Sequence, residues 1–409
     1  MRDSSWISST LNPDWGALPS RPHTEPIDSD LLLFAGASNN YALKTEEGLV
    51  IVDPGHEALG ERFLSAVRDW SDLPIHTVIY THGHADHVTA MRTLLDRGER
   101  PVIVGHEHVV ARFARYRETH AFNQTVNRRQ TAVPDLTFPS SFVDPTVRVS
   151  DSLTLVVGGV EIRLLGARGE TDDYTCVWIP DRRLLFVGDL ATWKIPNSGN
   201  PAKVQRYPLD WLAALDQLSA LGAETLCPGH DLVLRGGGLV RTLLTDHARY
   251  LRHLVSDVKE RLNAGASPDE ILHAVVPPED LRSVPYLRDV YNHPQFIVRD
   301  LLRTWGGWWN GVDSDLLPAP RVKQSTEIAS LAGGVQALVA RGRTRLNEGD
   351  VMLACHLADW AVDAAPEHRG ALELKRDVFR ERQRMERSGM ARGFFQSAID
   401  SAERKLQAL

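Results

Sequence analysis

The chain carries Thr81-His82-Gly83-His84-Ala85-Asp86-His87, which puts four metal-ligating side chains within six residues. Free imidazoles and a carboxylate crowded this closely call for a cation. The segment directly follows the apolar run Thr77-Val78-Ile79-Tyr80, where a strand ends and a loop turns toward a helix. In such a loop residues i and i+2 face one metal while i+4 and i+5 face another. The spacing therefore points to two adjacent sites rather than one crowded one, the arrangement suited to metal-assisted hydrolysis.

The elements that must hold this loop read as an α/β layout from Leu31 to about Gly229. Short β-rich runs begin at 31, 48, 75, 101, 153, 174 and 183, and residues 57–70, 88–97 and 208–221 repeat apolar positions at three and four. Each chemically interesting residue falls just after a strand. From Leu239 onward the period is helical. Residues 324–386 read as three amphipathic helices broken at Asn347–Asp350 and Ala364–Glu367. That spacing is similar to one tetratricopeptide-like hairpin and part of the next. A lone hairpin cannot bury its apolar face unaided, so it should pack on the helices before it or on a second subunit.

Composition narrows the function classes. At 409 residues the chain should hold two or three domains, and 43% hydrophobic with 24% charged residues is a globular balance. The net charge of −7 argues against nucleic acid. No apolar run approaches the ~18 residues of a membrane span, and the first residues lack a secretory pattern. Cys176, Cys227 and Cys355 are odd in number and far apart, which suits a reducing compartment and predicts a cytoplasmic protein without disulfides.

The HxHxDH segment and the order of the strands after it resemble the metallo-β-lactamase superfamily. The resemblance implies an αββα sandwich and three regions: an N-terminal extension at 1–30, a catalytic domain at 31–238 and a helical dimerisation domain at 239–409. It also implies ligands further along the chain. The usual third His is replaced by Glu170 in Arg168-Gly169-Glu170-Thr171-Asp172-Asp173, with Asp172 or Asp173 as the alternative. Asp189 in LLFVGDL takes the place of the bridging carboxylate, and His230 in CPGHD that of the last His. Site one would be His82, His84 and Glu170; site two would be Asp86, His87 and His230, with Asp189 between them. Two divalent ions, three carboxylates and one hydroxide sum to zero charge, so an anionic substrate would need added Arg or Lys contacts. Four His suit Zn, while the extra oxygen ligand makes Mn or Fe tolerable. Asp53 in IVDPG is expected to orient the metal loop.

A narrower resemblance is to the alkylsulfatase branch, which also carries a Glu at that ligand position and a long helical region. TWGGWWNGVDSDLLPAP at 304 and LAGGVQALVARGRTRLNEGD at 331 are similar to segments of that branch. The resemblance implies a homodimer formed through the helical part; as a departure from it, the chain is expected to lack the sterol-carrier-like domain and the secretion signal of many relatives. Asn123, Arg128 and Arg129, in a segment similar to the family's sulfate-seating stretch, are expected substrate contacts. Lys194, Lys203 or Arg206 would supply the remaining cation. His293 in VYNHPQ is the expected general acid, although the ungapped register puts Phe296 there. Trp305, Trp308 and Trp309 have helical spacing and would serve as core, dimer interface or a wall for an apolar tail, with Trp308 as the substrate contact. His106 and His108 are expected to be solvated at a helix start, His120 to lie near the pocket, and Cys227 to be a core residue.

The expected function is a dinuclear metal-dependent hydrolase of an alkyl or aryl sulfate ester, with Asp86 and His293 catalytic and metal-activated water as the nucleophile. Its substrate would be a small anion with an apolar part. The alternatives are a hydrolase of a carboxyl ester, lactone, thioester or specialised metabolite, and, more remotely, a non-catalytic helical interaction protein.

Overall fold

The computed structural model describes residues 22–409; most of the expected N-terminal extension therefore lies outside the described residues. Among those described, the chain forms two compact units. The first contains two sheets. Strands β1 (His23–Pro26), β2 (Leu31–Ala35), β3 (Asn39–Thr45), β4 (Gly48–Val52), β5 (Ile75–Ile79), β6 (Val102–His106) and β7 (Val147–Val149) lie in sequence order. The first four are antiparallel and the last four parallel, with β4 common to both sets. Between β4 and β7 run α1 (Gly60–Trp70), α2 (Ala85–Val88), α3 (Met91–Asp96), α4 (Val109–Glu118) and α5 (His120–Thr131). The second sheet is β8 (Ser152–Val157), β9 (Val160–Ala167), β10 (Tyr174–Ile179), β11 (Leu184–Gly188), β12 (Thr225–Pro228) and β13 (Leu234–Arg235), also in sequence order.

The burial pattern explains the layering. Strands β2, β4, β10 and β11 are buried at every residue, as strands covered on both faces must be. One apolar cluster, including Leu33, Tyr41, Val50, Ile79, Leu164, Val177 and Phe186, fills the space between the sheets. A second, including Phe63, Val67, Val78, Tyr80, Met91, Leu94 and Phe113, sits between the first sheet and its helices. On the second sheet, α6 (Pro208–Ala220) and α7 (Gly237–Asn263) supply the outer layer, with Trp211 and Leu251 fully buried. The result is the expected αββα sandwich. The unit also contains α9 (Pro294–Trp305), reached after α8 (Pro268–Ala274), and it runs to Gly306, whereas the sequence pattern changes to helical period near residue 239.

The second unit is helical and discontinuous: residues 124–136, 266–270 and 307–409. Its helices are α10 (Asp313–Leu316), α11 (Arg321–Leu331), α12 (Val335–Asn347), α13 (Val351–Ala364), α14 (Arg369–Met385) and α15 (Gly389–Ala408). The stretch expected to hold three helices holds four, because Gly333 and Gly334 both take positive φ and end one helix before the next begins. Ala354, Ala358 and Ala361 on α13 are buried against Leu338, Leu372 and Leu374, so small side chains let these helices approach closely. Residues 124–136 are tightly held in this unit. A Cβ on Gly393 would fall 1.9 Å from the Gln130 carbonyl oxygen, and the Arg129 guanidinium lies over the Phe394 ring. Among the described residues no helix is long and apolar enough to cross a membrane.

Candidate metal centre

The metal loop begins where β5 ends, and its shape is set by Asp53 just beyond β4. The Asp53 carboxylate accepts from the Thr81 amide at 2.7 Å, from Thr81 Oγ1 at 2.7 Å and from His87 Nδ1 at 2.8 Å. Asp53 itself has φ +57°, a strained conformation maintained by those three bonds. The expectation that Asp53 orients the loop is met by direct hydrogen bonds. Gripping Nδ1 leaves His87 Nε2 available to a metal. From the second sheet, Gly188 at the end of β11 has φ +51°, and a Cβ there would lie 2.8 Å from Thr81 Oγ1. Only glycine lets Asp189 follow at this depth.

The seven expected donors converge in two groups. His82, His84, Glu170 and Asp189 form one, and Asp86, His87 and His230 the other, with ligand atoms within 4.8 Å of one another in each. Asp189 touches both: His87 Nε2 lies 3.5 Å from its Oδ1, and His230 Nε2 lies 3.3 Å from its Oδ2. Asp86 Oδ2 is 3.6 Å from His87 Nε2 and 3.4 Å from His230 Nε2. The first sheet supplies four of these residues and the second supplies Glu170, Asp189 and His230.

Two observations test whether these residues fit metal ions. Among the described residues, His87 Nε2, Glu170 Oε2 and Asp189 Oδ1 are buried without a hydrogen-bond partner, a costly state that a cation removes. The charge balance also demands positive charge. Burial lowers the affinity of His87 for a proton, yet the Asp86, Asp189 and Asp53 carboxylates together override it and raise the group to about 9. For His230 the same contest, with Asp189 opposing burial first, ends at about 10. His82, with burial and His87 both acting against its charge, falls to about 3. The donors fit divalent ions.

Glu170 is held by a polar shell. Its Oε1 accepts from Asn197 Nδ2 at 2.6 Å and pairs with Arg206 Nη1 at 2.5 Å, while Arg206 Nη1 also lies 2.8 Å from the Glu170 carbonyl oxygen. Asp173, the alternative ligand, is used otherwise: its Oδ2 accepts from the Gly83 amide at 3.0 Å and from Arg112 Nε at 2.7 Å. Asp172 pairs with Arg112 Nη2 at 2.6 Å.

Residues 33–230 match the metallo-beta-lactamase superfamily, and residues 267–405 match the family described as alkyl sulfatase dimerisation. The chain thus joins a metallo-β-lactamase domain to an alkyl sulfatase dimerisation domain, and over both it resembles the superfamily's alkylsulfatase-like branch. It is 26% identical over 372 residues to the linear primary-alkylsulfatase of a Pseudomonas species, across 83% of this chain and 69% of that protein. It is 25% identical to an (R)-specific secondary-alkylsulfatase of Pseudomonas, across 75% of this chain and 50% of the relative. It is 22% identical to an alkyl/aryl-sulfatase of Saccharomyces cerevisiae, across 83% of this chain and 57% of the relative. The chain thus spans between half and about two thirds of the length of these relatives. The fold matches that of a stereoselective inverting sec-alkylsulfatase from Pseudomonas, with TM-score 0.85, 20% identity, and coverage of 93% of this chain and 66% of that one.

Other expected site residues fall in different places. Lys194, expected to hold substrate, pairs through Nζ with Asp231 Oδ1 at 2.9 Å and so braces the turn beside His230. Arg206 is engaged with Glu170. Asn123 donates at 3.0 Å to the carbonyl oxygen of Thr119, the residue just ahead of its helix. Arg128 Nε donates to the Leu136 carbonyl oxygen at 2.8 Å, and Arg128, Arg129 and Trp308 all belong to the helical unit. The helical spacing read for the tryptophans ends at Trp305, the last residue of α9; Trp308 is 74% exposed beyond it. His293 caps α9, its Nδ1 accepting from the Gln295 amide at 3.2 Å. Asn292 beside it donates to the Pro196 carbonyl oxygen at 3.2 Å, on the loop that carries Asn197. His106 is buried at the end of β6 rather than solvated, and accepts from the His108 amide at 3.2 Å. His120 Nε2 lies 2.7 Å from the Phe138 carbonyl oxygen, and Cys227 is buried in β12. Arg112 and Asn197 were not singled out from the sequence.

Proposed function

We propose that the chain hydrolyses the sulfate ester of a small anionic molecule with an apolar alkyl or aryl tail, at a dinuclear centre of zinc or, less suited to the four imidazoles, manganese or iron. The observation that carries this reading is the pair of donor groups sharing Asp189, with partnerless ligand atoms buried between the sheets. The length over which the chain matches alkylsulfatases supports the choice of ester. His82, His84 and Glu170 would hold one ion and Asp86, His87 and His230 the other, with Asp189 common to both. Bound there, the ions supply a water of lowered pKa and polarise the ester.

The chain's own groups do the rest. Asp86 is the most exposed donor, at 37%, and its outer oxygen takes the proton released by the attacking water. Lys203, one of the expected anchors, is buried beside the charge of Asp86, burial pushing its ammonium down to about 8 against that charge, and in this reading it holds the sulfate oxygens. The leaving alkoxide takes a proton from His293 at the start of α9, the ring acting as the acid in its doubly protonated form. The products are the alcohol and sulfate. The helical unit mediates a homodimer, a reading supported by its match to the dimerisation family and by the exposure of Leu317, Leu331 and Met352. The three unpaired cysteines suit a cytoplasmic setting.

The test is sulfate release from a medium-chain alkyl sulfate by zinc- or manganese-reconstituted protein, with Glu170→Ala as control. Release that disappears in the control supports both the reaction and the ligand. Metal-loaded protein that releases no sulfate but turns over a carboxyl ester, lactone or thioester would reassign the chain as an acyl hydrolase.

A further inference from the structure

Glu170 and Arg206 are each 3% exposed, and their side chains meet at 2.5 Å. The guanidinium meets Glu170 twice through Nη1, at Oε1 and at the main-chain oxygen. Arg206 Nε is buried without a hydrogen-bond partner among the described residues. Asp300, the nearby carboxylate, takes the Arg206 amide rather than its guanidinium, at 3.1 Å. The segment cannot drift from Glu170, because the Tyr207 amide donates to the Gly169 carbonyl oxygen at 2.9 Å.

The Glu170 carboxylate is therefore divided. Oε1 meets Arg206 and Asn197 and lies 3.9 Å from His84 Nδ1, whereas Oε2, buried in the same group with His82, His84 and Asp189, has no hydrogen-bond partner among the described residues. A carboxylate and a guanidinium held together this way present one ligand atom and no net charge, which is what a neutral imidazole presents. We propose that Arg206 is a positioning and charge-compensating residue that makes the Glu170–Arg206 couple equivalent to the histidine usual at this place in the superfamily. The proposal rests on Glu170 being a metal ligand.

The couple alters the charge balance drawn from the ligands alone. With Arg206 counted, two divalent ions, three carboxylates and a hydroxide leave one positive charge instead of none. The centre then keeps its attraction for an anion without Arg206 touching the substrate. Buried ion pairs behave asymmetrically: removing one partner leaves an uncompensated charge, whereas replacing both is tolerated. That asymmetry separates a couple from two independently useful residues.

The experiment measures cobalt(II) and zinc affinity by competition with a chelator, together with the visible absorption of the cobalt form, in wild type, Glu170→His, Arg206→Gln and the double variant. Loss of a group that orients a ligand typically costs about 10–100-fold in metal affinity. Glu170→His alone should lose about 100-fold, because an unpaired guanidinium then faces a divalent ion. The double variant should return to within about 10-fold of wild type, with a restored cobalt band. A double variant that binds no better than Glu170→His alone would overturn the proposal. Where the single variant fails to fold, recovery of folding in the double supports it. If neither folds, Arg206→Lys must retain the affinity that Arg206→Gln loses, and equal loss in both overturns it. Wild-type protein that binds no metal overturns both this proposal and the dinuclear reading, whereas additive losses in metal-binding protein refute the couple alone.

Discussion

Asp173 accepts the main-chain amide of Gly83 at 3.0 Å, across 90 residues of chain. The bond ties the turn after β9 to the middle of the metal loop, between the His82 and His84 side chains. Arg112 Nε, 2.7 Å from the same oxygen and 3% exposed, keeps that carboxylate charged, and burial of Asp173 is outweighed first by Arg112 in holding its pKa below the usual carboxylate range. Asp53 grips the same loop at Thr81 and His87, so both of its ends and its centre are fixed before any ion arrives.

Asp173→Asn preserves the shape and removes the charge that Arg112 needs. Metal affinity should fall about 10–100-fold with the secondary structure unchanged, as read by chelator competition alongside circular dichroism. An affinity within twofold of wild type would mean that Asp173 does not position the loop.

Asp53→Asn places an amide NH2 or a weaker acceptor against His87 Nδ1. The tautomer that leaves Nε2 free for a metal loses its support. The second ion should be lost first, so titration with zinc should show one tight and one weakened equivalent in place of two tight ones.

Metal removal should destabilise the fold. A ligand that binds only the native state adds about 2.7 kcal/mol at a hundred times its Kd, and here it also relieves the crowding of Asp86 and Asp189. Chelation should lower Tm by several degrees, reversed by adding zinc back; a Tm indifferent to chelator would count against the donor set as a metal centre.

Asp300 gives a pH signature away from the ligands. Burial pushes its carboxyl up to about 6, only partly opposed by the Arg206 amide and by the Arg206 and Arg303 charges. A folded-state pKa above the unfolded value of about 4 favours the native state fully below that value, and the benefit is lost as pH rises through about 6. Asp300→Asn should therefore gain on wild type between pH 4 and 6, reaching a plateau on the order of 1–2 kcal/mol at neutral pH. Urea melts at pH 4, 5, 6 and 7 read this directly, and a difference that does not grow with pH contradicts it.

How much of this is legible in the sequence depends on how local each signal is. His82, His84, Asp86 and His87 crowd into one loop, and their chemistry is written in their spacing. Glu170, Asp189 and His230 each follow a strand, and resemblance to a known family picks them out. Arg112 and Asn197 carry no such mark, because their partners lie 61 and 27 residues away and no periodicity links them. Arg206 and Lys194 look like sulfate anchors in a list of cations, and only the folded chain shows that their charges meet Glu170 and Asp231. The extra helix break at Gly333-Gly334 stands in the sequence itself; the apolar period on both sides hides it. The end of the first unit at Gly306 is set by tertiary contacts, which a change of period at 239 does not report.

The helical unit is discontinuous, and this has a consequence for vectorial synthesis. Residues 124–136 leave the ribosome long before Gly393 and Phe394, the residues against which Gln130 and Arg129 are seated. At about 5–20 residues per second the interval is on the order of tens of seconds. Throughout it the sheets can close while this stretch has no seat, so a nascent chain halted ahead of α15 would present a half-finished helix to chaperones and proteases. A single cut after Gly306 could not release the helical unit intact, because two of its pieces, 124–136 and 266–270, lie ahead of the cut.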